Sequence, residues 1–373
     1  MKIELFKMER MQSTWENLVE YNLSESGVHP MTLRELVEDD PDTVERLLKQ
    51  ELGYVQSNGT PELRDRISQI YPGATRDNVL VTNGTAEANL ISALRLTDRD
   101  DEIILMLPNY MQLWGLTRAL GGNVRPFYLR EENAWHPDLD ELRSVVSKRT
   151  KLIAVCNPNN PTGAILTQAE MDEIIRIAES CGAWLLADEV YRGAELENSE
   201  TKSFWGKYDR TIITSGLSKA YGIPGLRIGW IVSAPQFVAE CWSYHDYTTI
   251  GTSILSDILA RVALEPTKRQ KILERTRGIL RTNFPVLQDW IANHGSMFSM
   301  IAPQAGAIAY FKYKLNVNST ELVEKLRIEK SVLIVPGDHF GMDRYLRIGY
   351  GPPADYLKTG LDRIHETLAD LID

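Results

Sequence analysis

The chain has 373 residues, 43% of them hydrophobic, which is enough apolar material for one large core and a second, smaller one. With 41 basic against 51 acidic side chains and a net charge of −10, it offers no electrostatic footprint for nucleic acid or an anionic membrane, so small molecules are the expected partners. Cys156, Cys181 and Cys241 are too few and too scattered for a disulfide framework or a clustered metal site; no run approaches the ~20 apolar residues of a membrane span, and the charged opening "MKIELFKMERMQSTWENLVEY" lacks a signal-peptide core, so the expected compartment is the cytoplasm.

Between about Asn78 and Ser233 short β-rich runs alternate with amphipathic ones. "NVLVT", "DEIILML", "KLIAVCN", "AWLLADE", "TIITS" and "RIGWIVS" read as strands, while "TAEANLISALRLT", "MQLWGLTRALG", "PDLDELRSVVS" and "TQAEMDEIIRIAESCG" read as helices. This alternation predicts an α/β fold, a mostly parallel sheet between helices, with ligands beyond the carboxyl ends of the strands. After Pro235 come long helical stretches and then "AGAIAYFKY", "STELVEKLRIEK", "VLIVPG", "YLRIGY" and a terminal helix from near Pro353, which together predict a smaller α+β unit.

The loops after the strands carry the chemistry. In "VTNGTAEANL" a strand passes through Gly84 and Thr85 into a helix, so free backbone N–H groups, a positive dipole and a hydroxyl are available to a phosphate. Tyr110 in "LPNYMQL" stands where a ring can lie on a heteroaromatic ligand, and the restricted loop "CNPNNPTG" holds the Asn160 amide inward. "LLADEVYRG" ends an apolar strand in Asp188, whose carboxylate needs a cationic partner, with the Tyr191 phenol three residues on. "TSGLSKAYGIPGLRIGW" puts Lys219 in a short glycine-rich loop and Arg227 at the start of the next strand, where a guanidinium can clamp a phosphate. One cofactor uses a phosphate cradle, an aromatic plate, an amide, a buried carboxylate, a phenol and an amine together. It is pyridoxal 5′-phosphate (PLP), with Lys219 as its Schiff-base lysine.

In order and approximate spacing, "NGTAEA", "NPNNPTG", "ADEVY", "SGLSKAYGIPGLRIGW" and "YLRIGY" resemble the motifs of class I/II aminotransferases of PLP fold type I, and the likeness covers nearly the whole chain. The resemblance implies that Lys219 binds the cofactor covalently and shuttles the proton, and that Asp188 pairs with the pyridinium nitrogen. Asn160 and Tyr191 would bind the phenolic oxygen, Tyr110 would stack on the ring, and Gly84, Thr85, Ala86, Ser218 and Arg227 would hold the phosphate. Arg347 would take the substrate α-carboxylate. Tyr54 in "LGYVQSNGTPELR" would reach the phosphate of a neighbouring subunit, making a homodimer with shared active sites. The implied organisation is an N-terminal segment, 1–40, packing with the small domain, a large PLP-binding domain, 41–250, and a small C-terminal domain, 251–373.

Many members carry a serine three residues before the lysine, but here that position is Gly216, so Ser215 or Ser218 is expected to supply the phosphate contact. The implied reaction moves the amino group of an L-amino acid to a 2-oxo acid. An alternative comes from "SESGVHPMTLREL", whose "SGVH" resembles the capreomycidine synthase group, lyases and cyclases acting on hydroxylated arginines. In that stretch Gly27 and His29 are expected substrate contacts, and Glu9, Glu25 and His29 are candidates to meet a cationic side chain.

Overall fold

The computed structural model describes residues 2–197 and 199–369. Its largest sheet has eight strands in the order Val79–Thr82, Gly229–Val232, Thr211–Gly216, Trp184–Asp188, Thr150–Cys156, Glu102–Leu107, Asn123–Arg130 and His136–Pro137. The five from Thr211–Gly216 to Asn123–Arg130 run parallel, whereas Gly229–Val232 is antiparallel to both neighbours and His136–Pro137 is antiparallel to the edge. The central strands are apolar at almost every position because both faces are covered. Their period of two feeds two cores. Ile104, Met106, Ile153, Val155, Leu185 and Ala187 pack with helix Gln168–Cys181, and Ile103, Leu105, Leu152, Ala154 and Leu186 pack with helix Thr85–Leu96.

The strand Asn123–Arg130 has no counterpart among the runs read from the sequence. Its residues NVRPFYLR include two arginines and a proline, and its burial is patchy because most of its outer side lacks a partner strand, the setting in which a sheet tolerates proline.

A second, antiparallel sheet has the order Phe298–Met300, Ile308–Tyr313, Tyr345–Gly349, Val335–Pro336, and is accompanied by helices Pro266–Asn293, Ser319–Lys330 and Ala354–Ala369. Among the described residues no helix is long and apolar enough to cross a membrane.

The N-terminal segment bridges the two sheets. Tyr21–Asn22 pairs in parallel with Val332–Leu333, Gly349 N–H donates to Leu23 O at 2.7 Å, and His29 N–H donates to Gly351 O at 2.9 Å. On the other side Met31 N–H donates to Gly222 O at 2.9 Å, and the Phe6 ring meets the Tyr110 ring edge-on at 4.9 Å. This threading is possible because Gly349 and Gly351 lack side chains: a Cβ on Gly349 would collide with Glu25 O, and one on Gly351 with Gly27 O. Gly349→Ala is therefore expected to push the segment carrying Glu25 off the strand, lowering stability by about 1–3 kcal/mol in a urea titration and lowering substrate affinity with it.

Candidate active site

Lys219 follows strand Thr211–Gly216 in a loop closed by Leu217 N–H to Ile228 O, 3.0 Å, and Ile223 N–H to Leu217 O, 3.1 Å. These bonds pin both ends of the loop, so the lysine projects into a cleft of about 420 Å³ that it shares with Thr85, Ala86, Tyr110, Asn160, Asp188, Tyr191, Ser218, Arg227 and Arg347. Parallel strands place their carboxyl ends on one side of a sheet, which is why residues from five separate loops meet there.

Asp188 closes strand Trp184–Asp188 at the cleft floor, where its Oδ1 accepts from Val190 N–H at 3.1 Å. Burial pushes its carboxyl up to about 6, against smaller stabilising contributions from Val190 N–H, Asn89 and the distant Lys219. A cation at the cleft floor would reverse that penalty. Asn160 Oδ1 accepts from Arg347 Nη1 at 2.9 Å, leaving the Asn160 amide nitrogen to donate elsewhere, and Tyr191 donates its hydroxyl to Ser26 Oγ at 2.9 Å. Tyr110 donates to Glu9 Oε1 at 2.8 Å, and burial, reinforced by Glu9, raises its phenol well above the usual range.

At the other end, helix Thr85–Leu96 starts from Gly84 with no side chain capping its N–H groups. Gly84 has φ +78, and a Cβ there would run into Arg227 Nη2, so only glycine lets the guanidinium lie against this turn. Arg227 Nη1 also reaches Ser218 Oγ at 3.5 Å. Ser215 does not line the cleft: it is 6% exposed and turns its hydroxyl to Glu189 O at 3.3 Å, so of the two serines only Ser218 is placed for a phosphate. A Cβ on Gly216 would stand 2.8 Å from Thr85 Oγ1 and 2.8 Å from Ile228 O, and that buried Thr85 hydroxyl has no partner in the protein. Thr85 thus occupies the space a serine at 216 would need.

Beneath this turn, buried Glu87 accepts from Asn83 N–H at 2.6 Å, Thr248 Oγ1 at 2.5 Å and Thr249 Oγ1 at 2.7 Å, and meets His245 Nε2 at 3.3 Å. Burial alone would raise the Glu87 carboxyl, but these bonds hold it down at about 2. The network fastens the loop after helix Pro235–His245 to the Asn83–Thr85 turn.

Other expected residues lie elsewhere. Gly27 backs the Lys219 side chain, its would-be Cβ 3.7 Å from Lys219 Cδ, but neither Gly27 nor His29 lines the cleft; His29 Nδ1 is 3.4 Å from Gly351 O. Tyr54 is 95% exposed and outside this cleft. Conversely, Met8, Gln12 and Glu16 line it although no motif marks them, as do Ser26 and Asn89, which lie within quoted motifs that carry no role for them. Met8, Gln12 and Glu16 recur every four residues along and just past helix Lys7–Trp15, a one-face spacing visible in the sequence.

The model of the family "aminotransferase class I and II" matches residues 14–364. The chain belongs to this family. Capreomycidine synthase of Streptomyces vinaceus is 33% identical over 93% of this chain and 89% of that protein; an aspartate aminotransferase of Thermotoga maritima is 26% identical over 88% and 86%. Among solved structures, a PLP-dependent aminotransferase from Streptococcus suis aligns with a TM-score of 0.93 at 33% identity over 100% of this chain and 99% of that one. A PLP-dependent cyclase, OrfR, aligns with a TM-score of 0.90 at 25% identity over 99% and 98%.

As a class I and II aminotransferase-family enzyme, this protein uses PLP as its cofactor. The cleft fits that group: a buried carboxyl without a close cation at one end, a glycine-started helix with Arg227 and a partnerless Thr85 hydroxyl at the other, and Lys219 facing both. For Glu87 the folded value is depressed below 4.5, so its stabilising contribution, on the order of 3 kcal/mol, is present above about pH 4.5 and is lost as pH falls toward about 2. Glu87→Gln is expected to lower stability at pH 7, to flatten its acid dependence, and to weaken PLP binding in equilibrium dialysis.

Proposed function

We propose that this enzyme moves the amino group of an L-amino acid to a 2-oxo acid. The observation that carries the reading is the convergence of Lys219, Asp188 and Arg347 in one cleft. Lys219 would hold the cofactor through its Nζ, and the same Nζ, when free, would be the base that takes the proton from the substrate Cα. The cofactor, when bound, supplies an electron sink that weakens the Cα–H bond. Asp188 keeps the ring nitrogen protonated, Asn160 and Tyr191 donate to the phenolic oxygen, and Tyr110 covers the ring. Gly84, Thr85, Ala86, Ser218 and Arg227 hold the phosphate, while Arg347 orients the α-carboxylate. The working form is a homodimer in which Tyr54 of a second copy completes the phosphate site, consistent with the exposure of Tyr54, Leu48, Leu52 and Tyr247.

A second reading has its own support in the likeness to capreomycidine synthase and a PLP-dependent cyclase. In it Lys219 removes the same proton, but a substituent is then expelled and a ring closes on a hydroxylated arginine-type substrate. The two outcomes separate by demand for an acceptor. Transamination converts about one substrate per site without a 2-oxo acid and turns over continuously only with one, whereas the lyase/cyclase consumes substrate continuously with none, losing water. Mass analysis of products from an amino-acid panel, with and without 2-oxoglutarate or pyruvate, decides between them.

Two substitutions test the roles. Lys219→Ala is expected to bind PLP non-covalently, with no turnover and no borohydride-fixed peptide, whereas the parent labels at Lys219 alone. Asp188→Ala is expected to retain PLP and lose ~4 kcal/mol or more of transition-state stabilisation, read as a fall of about a thousandfold in kcat.

A further inference from the structure

Helix Thr85–Leu96 gives most of its buried side to apolar packing, with Ala88, Ile91, Ala93 and Leu96 all in one core. Asn89 stands in the same helix, 3% exposed, one turn beyond Thr85, and like Thr85 it lines the cleft. Leucine has nearly the same shape and would be favourable to bury there, whereas an amide lowers stability unless its polar atoms find partners. Asn89 Oδ1 is buried and finds none. What the residue contributes therefore lies in its donor nitrogen.

That nitrogen is oriented by a chain of hydrogen bonds beginning at the turn that opens the helix. Gln112, the first residue of helix Gln112–Leu120, donates Nε2 to Ala86 O at 2.8 Å. A backbone carbonyl can only accept, so this bond fixes which way the Gln112 amide faces and turns its Oε1 to Asn89. Asn89 Nδ2 donates to that oxygen at 3.3 Å, which fixes the second amide in turn. An amide nitrogen carries two hydrogens, and the other is available to Asp188, whose carboxylate Asn89 stabilises against burial. The Asp188 carboxylate otherwise has the Val190 N–H, 3.1 Å from Oδ1. One donor leaves a carboxylate free to swing about that bond, and a second fixes its plane.

We propose that Asn89 is a positioning residue: with Gln112 and Ala86 O it forms a relay that holds the Asp188 carboxylate in place for the cofactor ring nitrogen, in register with the turn that receives the phosphate. The groups that meet the two ends of the cofactor are thus joined through two side-chain amides. The proposal rests on the reading that Asp188 pairs with the ring nitrogen, and Asn89 acts through Asp188.

The test reads that nitrogen directly. Holoenzyme is reconstituted with PLP isotopically labelled at the ring nitrogen, and the NMR signal of that atom reports its protonation with no substrate present. The parent is expected to show the protonated position near neutral pH. Asn89→Leu is expected to move the signal toward the unprotonated position, and Gln112→Leu to move it the same way by less, because Asn89 then keeps its donor and loses its orientation. In turnover Asn89→Leu is expected to lower kcat by about tenfold while KM moves by less than about twofold. An Asn89→Leu enzyme that melts like the parent and keeps the parent's ring-nitrogen signal overturns the relay. Should that variant fail to fold, Gln112→Leu decides, since Gln112 is only half-buried, and an unmoved signal there overturns the relay equally. Asp188→Ala separates the two failures: a signal that it moves and Asn89→Leu does not leaves the Asp188 reading standing, and a signal that Asp188→Ala leaves unmoved removes both.

Discussion

The buried guanidinium of Arg347 joins the three pieces from which the site is made. It stands on strand Tyr345–Gly349 of the small sheet, its Nη2 donates to Ser24 O of the N-terminal segment at 2.6 Å, and its Nη1 donates to Asn160 Oδ1 in a loop of the large sheet at 2.9 Å. A charge so deeply buried needs hydrogen-bond acceptors and an opposite charge nearby: both Nη atoms are bonded, Nε has no partner within the protein, and Glu25 is such a charge. The same contacts that make Arg347 tolerable to the fold set the relative positions of segment, sheet and loop. Removing any one of the three partners would leave the guanidinium underpaired, so the geometry of the cleft and the stability of its surroundings are one problem.

Close backbone approach is the second constraint. Gly229 admits no Cβ because the Gly84–Thr85 peptide lies against it, Gly84 admits none because of Arg227, and Gly216 none because of Thr85 and Ile228. These three glycines bring the strand pair Thr211–Gly216 and Gly229–Val232 against the turn that opens helix Thr85–Leu96. This end of the cleft is thereby lined by the backbone of the turn, the Thr85 and Ser218 hydroxyls and one guanidinium. The Glu87 network supports that turn from below without placing its own charge in the cleft, since Glu87 is not among the cleft-lining residues.

The opposite wall is of another kind. It comes from residues before position 27: helix Lys7–Trp15 and its C-cap present Met8, Glu9, Gln12 and Glu16, and the extended stretch that follows presents Glu25 and Ser26. A sheet-end site supplies the chemistry common to a family, while a separate segment laid across it can vary the side chain accepted without disturbing that chemistry.

Much was legible in the sequence alone: the alternation of apolar runs and helices determined a mostly parallel sheet, and the loops after its strands named Lys219, Asp188, Asn160, Tyr191, Arg227 and Thr85, all of which line one cleft. These were readable because local chemistry, a strand end passing into a turn, dictates both the conformation and the exposure of the residues in that turn. Other features were decided by distant neighbours and needed the folded chain. Ser215 and Ser218 look alike in the chain, but Ser215 sits within the strand and turns to Glu189 O, whereas Ser218 lies in the loop beyond it. Asn89 is an ordinary helical residue until the fold puts it beside Asp188. Glu16 is a charge at a helix end until a segment with no chemical motif of its own is laid across the sheet, because which face a short amphipathic helix buries is set by the surface that receives it.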